Sequence, residues 1–297
     1  NYRVYIGSMT MISINTNYGG IFAAKASSQS QLQIDQAMER LSTGKRINHA
    51  RDDAAGQAIA TRLTAEIEGL AMASRNVADG QSLVDTAEGA LVETHALLLR
   101  MREIGVQAAN GTLSSSDNEA LDAEFQQLVA EIDRISDNTS WAGTKLLNGD
   151  ATGDYNTSAT FTFQAGVNNA TADRITIEVK NADSATLGVK DLNGGANVVN
   201  LLDMTNAQAA ITKVDDAIAS VSAERGKLGA VSNRMSSTMA NLDQITVNLT
   251  ASKGRIEDSD FAAETGNLAK GQILQQAATA MLAQANASKQ QVLTLIR

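Results

Sequence analysis

The 297-residue chain contains neither cysteine nor proline, and each absence excludes a class of structure. Without cysteine it has no disulfides, no thiolate metal ligands and no cysteine nucleophile. It has only two histidines, His49 and His95, which excludes a histidine-rich metal cluster. Proline removes a backbone donor and clashes with the preceding turn of a helix. Its absence is therefore typical of a chain built from long, uninterrupted helices.

The low content of other residue types narrows the range of possible functions. Aromatic residues make up 3% of the chain, so its apolar residues, chiefly Leu, Ile, Val, Met and Ala, favour packing of helix on helix. Lys and Arg number 24 against 33 Asp and Glu, and the net charge of −9 makes nucleic acid an unsuitable partner. No apolar run approaches the roughly 20 residues that span a bilayer, so no membrane insertion is expected. No basic start leads into an apolar stretch, as a cleaved signal peptide would require.

Sequence motifs that carry chemistry are lacking as well. There is no glycine-rich phosphate loop, and no pair of histidines lies four residues apart on a helix. The neighbouring acids Asp52 and Asp53 do not form a catalytic pair, because adjacent residues of a helix do not face each other. We therefore expect no enzymatic activity, no cofactor and no metal.

Both halves of the chain contain a seven-residue repeat of apolar residues. Small residues follow most members of the first set by three positions, a pattern that lets two helices approach closely. The two sets predict the core of a pair of long helices. The first set is Leu63, Leu70, Val77, Val84, Leu91 and Leu98, and the second includes Val221, Leu228, Met235, Leu242 and Leu249.

The two terminal segments have the same amphipathic pattern but very little charge. Residues 21–41 are mostly Ala, Ser, Gln and Leu, and residues 266–297 are mostly Ala, Gln, Leu and Asn. Each segment is a marginal helix by itself in water. Two interpretations are open: the segments pair only with each other, or they also pack against neighbouring subunits and so carry polymerisation. The residues expected to carry polymerisation are Ile34, Leu41, Leu274, Ala278, Met281, Ala285, Val292 and Leu295.

Particular residues predict where the helices begin and end. Gly44 is expected to end the first helix, since glycine readily adopts the left-handed conformation that follows a last turn. Carboxylates suit the positive N-terminal end of a helix, so Asp52 and Asp53 are expected to open the next one. Capping boxes are expected at residues 116–119 and 205–208, which begin with Ser and Thr.

The helical pattern disappears between residues 141 and 204. Residues 160–163 and 175–179 alternate between apolar and polar side chains, as strands do. We therefore predict a mainly α fold. It is a long antiparallel helical bundle or coiled coil built from both chain ends, with a small β-rich insertion in the middle.

These patterns divide the chain into six segments. Residues 1–8 precede Met9 and are interpreted as an extension foreign to the natural protein, with an irregular natural N-terminus as the alternative. The other segments are the N-terminal helix with its linker (9–52), the outgoing helical part (53–140), the β-rich region (141–204), the returning helical part (205–258) and the C-terminal helix (259–297), which pairs with 9–52.

Four parts of the sequence resemble characteristic segments of bacterial flagellin, in the order in which flagellins carry them. The resemblance covers both ends of the chain and is weakest over about 150–200. Flagellins often carry a proline near residues 287–290, and its absence here predicts that the last helix runs straight on. The matching strings are RLSTGKRIN at 40–48 with DDAAGQAIA at 52–60, REIGVQAANG at 102–111, RIEDSDFA at 255–262, and QILQQA at 272–277 with LAQAN at 282–286.

The resemblance implies a structural subunit that polymerises into the flagellar filament and serves motility. In that family the terminal helices form the filament core, the helical bundle forms its wall, and the β-rich part faces outward. The subunit is expected to leave the cell unfolded, without a cleaved signal peptide, and to join the filament outside the cell. Implied partners are further copies of itself, the flagellar export apparatus with an export chaperone, the filament cap and hook-associated proteins.

Two alternatives share parts of this pattern. The hook–filament junction protein carries terminal motifs similar to those of flagellin, although the full C-terminal match favours flagellin. A cell-surface binding protein of flagellin fold would use the β-rich region as its receptor, and filament growth does not exclude that second role.

Flagellins also resemble one another in a patch that an animal Toll-like receptor recognises, whose matching positions here are Arg100, Ile104 and Glu124. Arg100 and Ile104 are four residues apart and therefore share one face of a helix. An exposed arginine beside an apolar residue and a carboxylate is typical of a binding hot spot. The same residues also suit a solvated helix face whose ion pair contributes little. Leu99 stands where strongly stimulating flagellins commonly carry a polar residue.

Overall fold

The computed structural model describes residues 16–148, 159–190 and 199–295, with side chains up to residue 291. Residues 1–8, interpreted above as an extension, lie outside the described residues. The side chains of Val292 and Leu295 lie outside them as well.

Within the described residues, five long helices and four short strands confirm the mainly α fold with a small strand content in the middle. α5 continues without a break to Leu295, as the lack of a proline predicts. In chain order the elements are α1 (Tyr18–Thr43), α2 (Ala54–Ala108), α3 (Ser115–Asn138), β1 (Ser140–Trp141), β2 (Thr144–Lys145), β3 (Ala159–Gln164), a short 3-10 helix (Thr171–Asp173), β4 (Arg174–Val179), α4 (Met204–Glu257) and α5 (Phe261–Leu295).

The chain divides into two compact units. The terminal unit combines residues 1–64 with residues 249–297, and the central unit consists of residues 65–248. The boundaries between them fall within α2 and α4, so each of these helices contributes to both units.

In the terminal unit, α1 and α5 pack against each other as an antiparallel pair. Ile34 and Ala278 are buried in this pair. The helices approach closely at Gly271 of α5, because a Cβ atom there would lie 2.8 Å from Cγ1 of Ile34. Side-chain hydrogen bonds cross the pair at three levels. They join Asn17 to Asn286 at 3.1 Å, Gln31 to Gln275 at 2.6 Å, and Arg40 to Glu264 at 2.9 Å.

The junction between α1 and α2 follows the predicted signals with one exception. Gly44 ends α1 in the left-handed conformation, with a φ of 71°. Asp53 caps α2 by accepting the amide of Gly56 at 2.8 Å. Asp52 does not cap the helix, because its carboxylate accepts the amide of His49 and closes the turn before it. That hydrogen bond holds the pKa of Asp52 below its usual value.

The two predicted capping boxes are wrong in position. Ser114, two residues earlier than expected, caps α3, and Ser114 and Asp117 each accept the other's backbone amide. The Ser114 hydroxyl also holds the pKa of Asp117 below its usual value. α4 is capped by Asp203, whose carboxylate accepts the amide of Asn206 at 2.8 Å, and not by Thr205. A carboxylate competes well for this position because it combines an acceptor oxygen with the charge that suits the helix dipole.

In the central unit, α2 and α4 run antiparallel. An ion pair between Arg102 and Asp215 (2.6 Å) and a hydrogen bond from Gln81 to Ser232 (2.6 Å) join them. Leu63 and Leu249, two predicted core positions, belong to the terminal unit and are only half-buried, so the buried row of heptad residues ends before them. The other nine positions are buried: Leu70, Val77, Val84, Leu91, Leu98, Val221, Leu228, Met235 and Leu242.

The two strands predicted in the middle of the chain are confirmed as β3 and β4. They pair antiparallel, with Phe161 opposite Ile177. The pair lies against α2, where Phe163 covers Gly80 so closely that a Cβ atom there would be 3.2 Å from the phenylalanine ring. Strand content in the described part of residues 141–204 is small, because turns occupy most of residues 182–190.

Candidate functional site

A groove of about 630 Å³ lies between α1 and α5 in the terminal unit. Ala23 and Ala278 line it and are buried, whereas Phe22, Leu274 and Met281 line it and are exposed. Phe22 is 76% exposed and Met281 is 64% exposed. Large apolar side chains left in water in one groove are typical of a contact surface.

The residues predicted to carry polymerisation divide between the inside and the outside of this helix pair. Ile34 and Ala278 are buried in it, which agrees with pairing of the two terminal helices within one chain. Leu274 and Met281 are exposed, so intramolecular pairing does not use them fully. Leu41 and Ala285 are half-buried.

Sequence reasoning missed the aromatic residues of this surface. Tyr18, Phe22 and Phe261 are exposed on α1 and α5. The signal was available, because the chain has only five phenylalanines and four tyrosines, and three of these nine aromatic residues lie on the terminal helices. These three residues lie outside the buried stripe, so heptad spacing does not include them.

A partly buried ion pair stands at one end of the pair of terminal helices. Arg40 Nη1 of α1 lies 2.9 Å from Glu264 Oε1 of α5, and both side chains are largely covered. Asn267 donates a further hydrogen bond to the other carboxylate oxygen. Removing one partner of such a pair would leave a charge partly buried, so the loss of either residue is expected to weaken the pairing of α1 with α5.

The linker after α1 is attached to the linker before α5. Arg46 donates its amide to the Glu257 carbonyl at 2.7 Å, and Ser259 donates its amide to the Gly44 carbonyl at 3.0 Å. Lys45 adds an ion pair to the Glu257 carboxylate at 2.6 Å. We call these contacts the linker clamp.

The ion pair of the linker clamp depends on an ionised carboxylate, whereas its two backbone hydrogen bonds do not. The hydrogen bond from Lys45 holds the pKa of Glu257 below its usual value. A carboxyl group whose pKa is lowered by folding adds stability above its unfolded pKa, and that stability is lost as the pH falls through the lowered value. The clamp is therefore complete at neutral pH and weakens in acid.

The predicted receptor patch needs a correction. Arg100 is exposed and lies 2.8 Å from Glu124 and 2.7 Å from Glu103. The hydrogen bond with Glu124 is the main cause that raises the pKa of Arg100. Ile104 is fully buried, so a partner cannot touch it. It lies three residues after the buried Met101 and therefore continues the stripe that faces the core.

The described residues contain neither a cluster of metal ligands nor a membrane-spanning helix. No group of three or more His, Cys, Asp or Glu side chains there is arranged to hold a metal ion. None of the helices in that part of the chain carries an apolar stretch long enough to cross a membrane.

Comparison with known families gives two matches at opposite ends of the chain. The bacterial flagellin N-terminal helical region matches residues 14–152. The bacterial flagellin C-terminal helical region matches residues 211–296. The first match includes α1 to α3, and the second includes α5 and most of α4.

Individual relatives are similar over most of their length. A flagellin from Halalkalibacterium halodurans is 44% identical over 265 residues, which are 89% of this chain and 92% of the relative. A flagellin from Bacillus subtilis is 43% identical and covers 96% of this chain and 99% of the relative. The flagellar filament 33 kDa core protein of Treponema phagedenis is 39% identical with the same coverage.

A solved structure supports the fold alone. It is that of a Vibrio parahaemolyticus protein described as flagellar hook-associated, and it superimposes with a TM-score of 0.57 at 17% identity. The match covers 70% of this chain and all of the other.

Proposed function

The chain belongs to the flagellin family, and on this premise we propose that the groove between α1 and α5 joins subunits within the flagellar filament. The chain is a structural subunit of that filament, on the bacterial cell surface, and serves motility. A hook–filament junction protein is not favoured, because relatives named flagellin match at 43% and 44% identity, whereas the hook-associated protein shares only 17%.

The observation that carries the proposal is the amount of apolar surface that the paired helices leave in water. Burial of apolar surface is the main driving force of protein association, and a neighbouring subunit can supply the missing cover. The exposed large apolar residues are Tyr18, Ile21, Phe22, Leu32 and Met38 on α1, and Phe261, Ile273, Leu274 and Met281 on α5.

A single glycine tests this proposal. Changing Gly271 to Val places side-chain atoms where Ile34 now lies, so it separates α1 from α5 and distorts the groove. Overpacking of this kind typically costs 1–3 kcal/mol, so we expect the critical concentration for polymerisation to rise about tenfold or more. The concentration of unpolymerised subunit after sedimentation of the filaments measures it.

Gly266→Val is the matched control for this experiment. Gly266 lies on the same helix, and a Cβ atom there would meet no other atom within 4 Å. Gly266→Val changes helix propensity as much as Gly271→Val does, but it does not disturb the groove. Equal critical concentrations for the two variants would contradict the role of the groove.

The proposal extends to export and growth of the filament. Terminal helices that are marginal by themselves can stay unfolded in the export apparatus, accompanied by an export chaperone, and fold when neighbours cover them. The subunit then joins beneath the filament cap, in a filament that continues from hook-associated proteins. Its role is structural, without enzymatic activity.

For the animal receptor we propose a smaller patch than the sequence predicts. It consists of Arg100 and Glu124 with the exposed Leu99, because Ile104 is buried. We expect Arg100→Ala and Glu124→Ala each to lower Toll-like receptor signalling by about tenfold in reporter cells, as the loss of a hot-spot residue does.

The control for the receptor assay is Arg134→Ala. Arg134 is also an exposed arginine, paired with Glu131 at 2.5 Å on α3. Full signalling by the Arg100 and Glu124 variants, or a silent unmodified chain, would show that the patch is only an exposed helix face.

A further inference from the structure

One methionine of the terminal unit lies in the apolar groove itself. Met281 is 64% exposed and lines the groove together with Phe22 and Leu274. The two core methionines of the central unit, Met101 and Met235, are fully buried. The side chain of Met281 is therefore open to small reagents in the free subunit, on the surface where a second subunit would pack.

We propose that Met281 is an oxidation site that controls whether the subunit can join a filament, a proposal that rests on the function proposed above for the groove. A peroxide is the oxidant. The sulfur of Met281 attacks one oxygen of hydrogen peroxide, the O–O bond breaks, and a new S–O bond forms. The sulfur loses two electrons, and the proton of the newly bound hydroxyl passes to the departing hydroxide, so the products are a sulfoxide and one water molecule.

The sulfoxide opposes assembly because of its polarity. Oxidation converts a flexible apolar side chain into a polar one. The new oxygen is a strong hydrogen-bond acceptor, and covering it with the apolar surface of a neighbour would leave it unpaired. Exposed Phe22 and Leu274 line the same groove, so a polar group at Met281 would interrupt the apolar surface that the contact needs.

Assembly in turn protects Met281 from oxidation. Once a neighbouring subunit covers the groove, the sulfur of Met281 is removed from solvent. Susceptibility to oxidation follows exposure. The modification therefore acts on subunits that have not yet been added, and the assembled filament is protected from it.

The experiment compares three full-length chains before and after treatment with hydrogen peroxide: the unmodified protein, Met281→Leu and Met204→Leu. Leucine conserves the volume and apolar character of methionine but has no sulfur to oxidise. Met204 is the matched control, because it is 51% exposed but lies in the central unit. Mass spectrometry of peptides quantifies each sulfoxide, and seeded filament elongation measures assembly.

We expect peroxide to slow elongation of the unmodified chain and of Met204→Leu by about tenfold or more, and that of Met281→Leu by less than about twofold. A methionine sulfoxide reductase should restore elongation of the treated unmodified chain. Met281→Gln, which places a polar group in the groove without peroxide, should elongate as slowly as the oxidised chain.

The result that overturns the inference is normal elongation of an unmodified chain in which Met281 is fully converted to sulfoxide. Equal loss of elongation in treated Met281→Leu overturns it too, since another residue is then responsible. Either result leaves the function of the groove standing if Gly271→Val still impairs assembly. If Gly271→Val and Met281→Gln both polymerise normally, the proposed function of the groove fails as well.

Discussion

Removal of residues 274–297 is expected to abolish filament growth while the melting transition of the central unit stays in place. The deletion removes Ala278 and Met281, and it leaves most of α1 without its partner helix. Helix α1 alone is marginal in water, so both walls of the groove are lost. Electron microscopy after seeding detects filaments, and thermal unfolding followed by circular dichroism reports on the central unit.

The deletion is expected to leave the thermal stability of the central unit unchanged. This unit consists of residues 65–248, and its buried row of heptad residues ends at Leu242. A change of less than about 2 °C in its melting temperature is expected, which corresponds to less than about 1 kcal/mol for a domain of this size. Filaments of normal length from the shortened chain would contradict the assignment of assembly to α5.

Two point variants refine the deletion experiment. Leu274→Ser changes an exposed leucine of the groove, and Leu202→Ser changes an exposed leucine of the central unit. Both remove the same apolar side chain from water, so their effects on folding are similar and small. Only Leu274→Ser is expected to impair filament growth, since only it removes apolar surface from the contact between subunits.

The second large effect concerns the stability of the central unit. Leu91→Ala is expected to lower the free energy of unfolding by about 2–5 kcal/mol, the usual range for a buried leucine. Leu91 is 1% exposed on α2, and its removal leaves a cavity that the long helices cannot close by small shifts. Chemical denaturation of dilute, unpolymerised protein measures the loss.

Leu99→Ala provides the same substitution on the same helix. Leu99 is 49% exposed, so its truncation removes little buried surface and is expected to change stability by less than about 0.5 kcal/mol. Similar losses for the two variants would show that α2 does not present its heptad face to the core.

The long helices could be predicted from the sequence because heptad spacing depends only on residue type and position. Val84, Leu91 and Leu228 have this spacing, and they are buried. Strands β3 and β4 were predictable for the same reason, from alternation of side chains along residues 160–163 and 175–179. Periodic patterns are local, so they can be recognised in the sequence without knowledge of the tertiary structure.

Helix starts and helix faces were harder to predict. Residues 114–116 are all serine, so each could cap α3, and the choice depends on which one Asp117 can reach. Ile104 is four residues from exposed Arg100 and three residues from buried Met101. Spacing alone places it near both faces, and only packing in the central unit decides that it is buried.

The groove itself was not predicted. Four residues that the pattern of α5 assigns to polymerisation line it, namely Leu274, Ala278, Met281 and Ala285. The pattern does not say which of them face the partner helix and which face water. That division depends on close approach at Gly271, a property of two helices together. A seven-residue repeat in one helix does not contain it.

The pairing of α1 with α5 has a consequence for refolding. Arg40 and Glu264 are 224 positions apart. The apolar face of α1 therefore stays uncovered during refolding until α5 packs against it. Every contact in the pair is equally well satisfied by the α5 of a second molecule. At high chain concentration that molecule competes with the tethered helix, so we expect some chains to form reciprocal domain-swapped dimers. The fraction of correctly closed monomers therefore falls as the protein concentration during refolding rises.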